Sequence, residues 1–229
     1  MKKVAILQSN YIPWKGYFDL IAHVDEFIFY DDVQFTKNDW RNRNKIKTPK
    51  GTEWISIPVG KDINRKIKEV EISDEKWRAT HWKTLQLNYR RAKHFDEVAA
   101  VLEPLYTQDP SANLSEINRR FILETCNFLG ITTTFKNSGE YPLVEGKTER
   151  LVSLCQQAGA TEYVSGPAAK DYLQVDSFDN VGIKVSWFDY SGYQEYPQLW
   201  GTFQHQVSIV DLLFNCGKDA ICFLKNRRK

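Results

Sequence analysis

KKVAILQSNYIPWKGYFDLIAHVDEFIFYDD, residues 2–32, decides the fold. Its first part, KKVAIL, reads as a buried strand. YFDLIAHV at 17–24 then places Tyr17, Leu20, Ile21 and Val24 on one face of a short helix. EFIFYDDV returns to a strand and ends in two acids, Asp31 and Asp32. Strand, short helix, strand is a βαβ unit, so the two strands are predicted to be parallel neighbours.

The alternation continues outward from this unit. A polar loop, QFTKNDWRNRNKIKTPKG at 34–51, leads into TEWISIPV, a predicted strand, and IKEVEI at 67–72 reads as a short edge strand. Residues 74–106 read as helical, in one or two pieces. A further helix is expected from about 114 to 129, with Asn113 or Ser115 as its N-cap and Gly130 as its stop. ITTTFKNS, TEYVSG and GIKVSWFD (182–189) have strand character. KTERLVSLCQQAG and SIVDLLFNCG are helical, the second capped at Ser208 and halted by Gly217. The Ser208–Asp211 spacing looks like a capping box and calls for no chemistry. With no repeat, low-complexity tract or Gly/Ser linker, the expectation is one α/β domain over residues 1–229. Its mostly parallel sheet is flanked by helices, with a helical insertion at about 74–130.

Composition narrows the function classes. The 229 residues carry a net charge of only +2, which gives no global electrostatic case for nucleic acid. No apolar stretch approaches the roughly 18 residues of a membrane span, and the apolar run at the N-terminus is too short for a signal peptide. The four cysteines (Cys126, Cys155, Cys216, Cys222) lie far apart without metal-ligand spacing. That predicts a cytoplasmic chain with buried reduced thiols and neither structural zinc nor a disulfide framework. Seven Trp, 11 Tyr and 13 Phe suit stacking on ring-shaped ligands, although aromatic residues also fill cores.

Three segments carry more polar and aromatic equipment than a turn requires. After the first strand come Gln8, Asn10, Tyr11, Trp14 and Lys15, with Pro13 stiffening the turn and Gly16 allowing close approach at the helix start. A lysine at a helix N-terminus opposes the helix dipole unless an anion binds there. The second segment is the basic stretch at 37–50, where Lys37, Arg41, Arg43, Lys45, Lys47 and Lys50 face one acid, Asp39. Acids at a strand end followed by arginines suit a phosphorylated substrate, and Asn42 and Asn44 add groups for sugar hydroxyls. Trp40 in its middle is more than a solvated loop needs, whereas the plain alternative pairs Asp39 with Arg43. The third is THWKTLQLNYRRAKHF, where His81, on a face with Leu85 and Asn88, is the best-placed general base, and Tyr89 lies on the neighbouring face. SGPAAKDYL adds Ser165 and Gly166 at the start of another anion-accepting turn. No Ser-His-Asp or Cys-His arrangement can be read from spacing alone, and no G-x-S-x-G, Walker or G-x-G-x-x-G motif is present.

QSNYIPWKGYFDLI, FYDDVQFTKNDWRNRNKIKTPKG, HWKTLQLNYRRA, YVSGPAAKDYL and YPQLWGTF…SIVDLLFNCG together resemble the WbqC-like protein family, collinearly over essentially the whole chain. Members typically carry Gln-Pro where this chain has Gln8-Ser9, a departure expected to loosen the loop slightly. The resemblance implies a bacterial protein of O-antigen or related surface-polysaccharide clusters, whose substrates are nucleotide-linked sugars. From this comes the expectation of a transferase that places an acyl or aminoacyl group on the amine of a nucleotide-linked amino sugar. Asp31, Asp32 or His81 would take the proton. The contacts to substrate would come from Gln8, Asn10, Tyr11, Trp14, Lys15, Gln34, Lys37, Trp40, Arg41, Asn42, Arg43, Tyr89, Ser165 and Gly166. Trp14 or Trp40 would stack on a base or sugar face.

No cofactor or metal is implied, the acyl donor is left unspecified, and a homodimer is allowed. One alternative is ATP-dependent amide ligation, which Trp14-Lys15-Gly16-Tyr17 serves poorly because it stands where nucleotidyl-transferring domains carry H-x-G-H. Another is a non-catalytic nucleotide-sugar or glycan-binding protein, and RNA binding ranks last.

Overall fold

The structure, a computed structural model, describes residues 1–226. Strand β1 (Lys3–Leu7) and helix α1 (Lys15–His23) lead to β2 (Glu26–Phe29), which pairs parallel with β1 in the register Val4↔Glu26 to Leu7↔Phe29. The βαβ reading of residues 2–32 is therefore borne out.

The next segment corrects the expected long polar loop. Arg43–Thr48 is a strand, β3, paired antiparallel with β4 (Gly51–Ser56) across the two-residue turn Pro49-Lys50. Its cations alternate with Asn44, Ile46 and Thr48, which are buried, so the period-2 pattern was present but carried by residues that read as solvated. IKEVEI is not a strand either. Ile67–Glu69 forms a 3-10 turn in which Glu69 Oε2 accepts the Lys66 N–H at 2.8 Å, and only a single bridge joins Glu71 to Asn113.

The helical middle consists of α2 (Trp77–Tyr89), α3 (Phe95–Thr107) and α4 (Leu114–Leu129). Asn113 caps α4 by accepting the Glu116 N–H at 3.1 Å, and Gly130 ends it at φ +69°, a conformation glycine adopts without strain. β5 (Thr134–Asn137), α5 (Lys147–Gln157), β6 (Glu162–Ser165), the short α6 (Asp176–Asp179) and β7 (Lys184–Trp187) follow. The last helix is α7 (Ile209–Cys216), and the Oγ of Ser208 at its start accepts the Val210 N–H at 3.3 Å.

The five-stranded sheet is parallel throughout, in the order β5-β2-β1-β6-β7. Helices cover both faces, and the pleat sorts the side chains between them. Ala5, Phe27 and Phe29 pack with α1, the helical middle and α7. Val4, Ile6 and Ile28 face the other way, onto Leu151, Leu154 and Cys155 of α5 and Phe178 of α6. Among the described residues no helix is long and apolar enough to cross a membrane. Cys126, Cys155 and Cys216 are buried as expected, whereas Cys222 is exposed.

Candidate functional site

Strand order locates the crevice. From β1 the chain winds outward to β2 and β5, then returns to the opposite side of β1 to build β6 and β7. The loops leaving β1 and β6 therefore diverge, and an open parallel sheet binds ligands in the gap this creates at the carboxyl ends of its strands. A cavity of about 450 Å³ lies there, walled by Gln8 after β1, Tyr30 after β2, Ser165 and Gly166 at the end of β6, Tyr163, Tyr172, and Lys147 in the first turn of α5. It adjoins a groove of about 740 Å³ that shares Gln8, Val33 and Lys147 and adds Asp32, Gln34, Arg65, Lys66, Glu69 and Arg150. The lining is thus cationic with tyrosine walls. Burial raises the Tyr30 phenol and the Arg150 guanidinium beside it opposes that shift.

Asp32 lies on the groove. One carboxylate oxygen pairs with the Lys68 ammonium, and the other accepts the Ser138 hydroxyl at 2.8 Å. Burial pushes its carboxyl up, but the hydrogen bonds and the positive charges of Lys68 and Lys66 outweigh that and hold it below the usual range. Asp31 reaches neither the cavity nor the groove. It is buried, accepts the Ser9 N–H at 2.8 Å and the Ser115 hydroxyl, and burial raises its pKa. Ser9 is fully buried, so the departure from Gln-Pro ties the loop to Asp31 instead of loosening it.

His81 is also interior. Its Nδ1 lies 2.9 Å from the Tyr11 hydroxyl, which is 2.7 Å from that of Tyr106, and Trp77 packs edge-on 5.2 Å away. Burial drives its pKa down to about 4, against a backbone hydrogen bond with Ser56, and the ring is neutral at pH 7. Tyr11 and Tyr89 are likewise core residues. The Tyr89 hydroxyl donates to Asp211 at 2.9 Å and receives the Lys47 N–H at 2.9 Å.

Lys15, expected as a polar contact to an anion, is 2% exposed. Its ammonium donates to the Gln194 carbonyl at 2.9 Å and sits 5.1 to 5.6 Å from the ring centres of Tyr193, Tyr196 and Phe203. Burial lowers its pKa to about 8. It fastens the 190–206 segment onto α1.

The basic stretch divides in the same way. Arg41 donates to Asn10 Oδ1 at 2.7 Å and Gln8 Oε1 at 3.2 Å, and it is Arg41, not Arg43, that pairs with Asp39, at 3.6 Å. Arg43 lies 4.2 Å over the Trp54 ring. Asn42 is buried and donates to the Ile57 carbonyl at 2.9 Å, while Lys37 is exposed and lines neither the crevice nor the groove. Asn10, Trp14 and Trp40 meet in a separate cavity of about 240 Å³, together with Pro13, Asn44 and Gln206. Of the expected residues, the structure brings Gln8, Asp32, Gln34, Ser165 and Gly166 to the crevice and its groove.

Sequence reasoning missed Tyr30, Tyr172, Lys147 and Arg150, and dismissed Asp211. Lys147 and Arg150 open a helix, the same dipole signal that was applied to Lys15. Asp211 is a fully buried carboxylate that accepts from Tyr89, from Tyr196 at 2.7 Å and from Gln198 at 2.7 Å. Among the described residues no group of three or more His, Cys, Asp or Glu side chains is placed to hold a metal ion.

No solved structure matches the chain. A protein of Mycobacterium tuberculosis strain H37Rv, named uncharacterized protein Rv1507c, is 55% identical over 232 residues, covering 100% of both chains. The model of the WbqC-like protein family matches residues 8–222, from the Gln8 that floors the crevice to the turn after α7, and the chain belongs to that family.

Proposed function

We propose that this chain is a transferase of bacterial surface-polysaccharide assembly that binds a nucleotide-linked amino sugar in the β1/β6 crevice and acylates or aminoacylates its amine. The observation that carries this reading is the placement of Lys147, Arg150, Arg65 and Lys66 beside Tyr30 and Tyr172 at the divergence of the β1 and β6 loops. Cations there answer a diphosphate, and tyrosine rings offer faces for a base or sugar. In the reaction, the amine nitrogen attacks the acyl carbonyl carbon, the bond to the donor's leaving group breaks with its electron pair, and the nitrogen loses a proton. Asp32, kept ionised by Lys68, is one of two carboxylates on the groove, with Glu69, and is the one assigned to accept that proton.

A second reading, a non-catalytic nucleotide-sugar binder, draws support from the burial of Asp31 and His81, whose polar partners lie within the protein. One experiment addresses both. Purified protein is titrated with uridine- and thymidine-linked amino sugars, then incubated with acyl and aminoacyl donors, with and without ATP, and the sugar's mass is followed. Binding that weakens at least about tenfold in Lys147→Ala/Arg150→Ala, with a mass gain lost in Asp32→Asn, is expected. Binding without any mass gain leaves the non-catalytic reading, and no binding refutes both.

A further inference from the structure

The cavity of about 240 Å³ beside the crevice has a different chemistry. Its walls are two indoles, a proline ring and the amides of Asn10, Asn44 and Gln206, with no charged side chain. Arg41, which holds the Asn10 amide oxygen, is turned onto Gln8, Asn10 and Asp39. The amides are unequally engaged. Asn44 is spent on the protein, donating to the carbonyls of Tyr11 and Ile12 at 3.1 and 2.9 Å and accepting the Lys45 N–H. Among the described residues, Asn10 Nδ2, the Gln206 amide and the indole N–H groups of Trp14 and Trp40 have no hydrogen-bond partner in the protein.

The wall is also built, not incidental. Ile12, a β-branched residue, stands at φ +36° in a region that costs such residues strain. Its carbonyl is held by Asn44 and by the Ser208 hydroxyl at 2.7 Å, so β3 and the start of α7 together impose the shape of the loop. Gly16 lies beneath the six-membered ring of Trp14, and a Cβ there would collide with it. Trp40, 42% exposed, leans on Trp54, 43% exposed, at 5.4 Å, which steadies one indole face toward solvent.

We propose that this cavity is a second subsite, one that takes a neutral sugar ring. A pyranose has an apolar C–H face that packs on an indole and a rim of hydroxyls that pair with unengaged amides and indole N–H groups. The cavity falls just under the ~300 Å³ at which drug-sized sites begin, which suits one ring and not an extended ligand. With no cation in the lining it does not call for a phosphate. Arg41 links Asn10 of this cavity to Gln8 of the crevice, so the two sites are neighbours, but the inference stands apart from the nucleotide-sugar reading and can survive its failure.

The test is ligand-observed saturation-transfer NMR on the full chain, with methyl glycosides of glucose, galactose, mannose and N-acetylglucosamine as probes. Saturation is expected to reach the ring protons of at least one glycoside, with the dissociation constant rising at least about tenfold in Trp40→Ala and in Gln206→Ala. Gly16→Ala, which displaces Trp14, is expected to act like Trp40→Ala. Lys147→Ala/Arg150→Ala is expected to bind the glycoside as wild type does, even if no nucleotide-linked sugar binds the crevice. Transfer to no glycoside, transfer unchanged in Trp40→Ala and Gln206→Ala, or displacement of the glycoside by uridine monophosphate would each overturn the proposal.

Discussion

Replacing His81 with glutamine separates an interior histidine from a working base. An ordinary histidine titrates at 6.5, and burial among Tyr11, Trp77 and Tyr106 takes this one to about 4. Above about pH 7 the ring is largely neutral in both folded and unfolded chains and contributes almost nothing to pH dependence. As the pH falls through 6.5 the unfolded chain gains a proton that the folded chain refuses, so stability is lost until the folded ring also protonates near 4. At about 1.36 kcal/mol per tenfold difference in proton affinity, the loss across that window is about 3 kcal/mol. The Asp31 carboxyl, raised by burial, titrates with the opposite sign, so the comparison has to be between two chains that both retain it.

The assay is urea unfolding of wild type and His81→Gln at half-unit steps from pH 7.5 to 4.5. Wild type is expected to lose about 2–3 kcal/mol more than the variant over that range, and the two curves to run parallel above pH 7. Parallel curves throughout would refute the reasoning. They would mean that His81 is solvated enough to titrate normally, and would return it to the list of groups able to reach a substrate.

Three further outcomes follow from particular contacts. Ser208→Ala removes both the cap of α7 and a hydrogen bond to the strained Ile12 carbonyl, and is expected to cost about 1–3 kcal/mol by chemical denaturation, with Ser208→Thr recovering part of it. Lys68→Met takes the cation from Asp32 while leaving the burial that raises it, so the Asp32 titration followed by carboxyl-carbon NMR should move upward. An unchanged titration would show that Ser138 and Lys66 set it without Lys68. Ser9→Pro deletes the N–H that Asp31 accepts and is expected to cost about 1–3 kcal/mol, measured by thermal unfolding; an unchanged midpoint would mean that the hydroxyl of Ser115 suffices.

What was legible in the sequence was local. Residues 2–32 carry a strand period, a helical face and a second strand within one contiguous run, so β1, α1, β2 and their parallel pairing could be read directly. Asn113, one of the two N-cap candidates, and Gly130 bound α4, because capping is a property of neighbouring residues. β3 escaped because Lys47, which interleaves with Ile46 and Thr48, is itself buried on Gln198, 151 residues away. The meeting of the crevice walls escaped for the same reason, although Gln8, Ser165 and Gly166 were each expected as contacts. Gln8 meets Ser165 and Lys147 only because β1 pairs with β6 in the register Val4↔Tyr163, and no spacing announces a partner at that distance. The burial of His81 was not legible because Trp77, His81 and Leu85 recur at helical spacing on a face that turns inward, where a histidine is desolvated.

The loop from Gln8 to Trp14 shows why local and distant signals had to be combined. A connection from β1 to α1 needs no strained residue, and one left to itself would relax Ile12 out of its positive φ. Here Asp31 holds Ser9, Asn44 and Ser208 hold the Ile12 carbonyl, and Arg41 ties Gln8 to Asn10. These tethers come from the end of β2, from the segment through β3, and from the start of α7. The loop's form is thus imposed by parts of the chain up to 196 residues away. Strain sustained by several independent restraints points to a shape kept for what the loop presents, which is Gln8 to the crevice and Asn10 and Trp14 to the cavity beside it. Loosening any one tether should therefore disturb both sites together, whereas a change confined to Lys147 or Trp40 should disturb one.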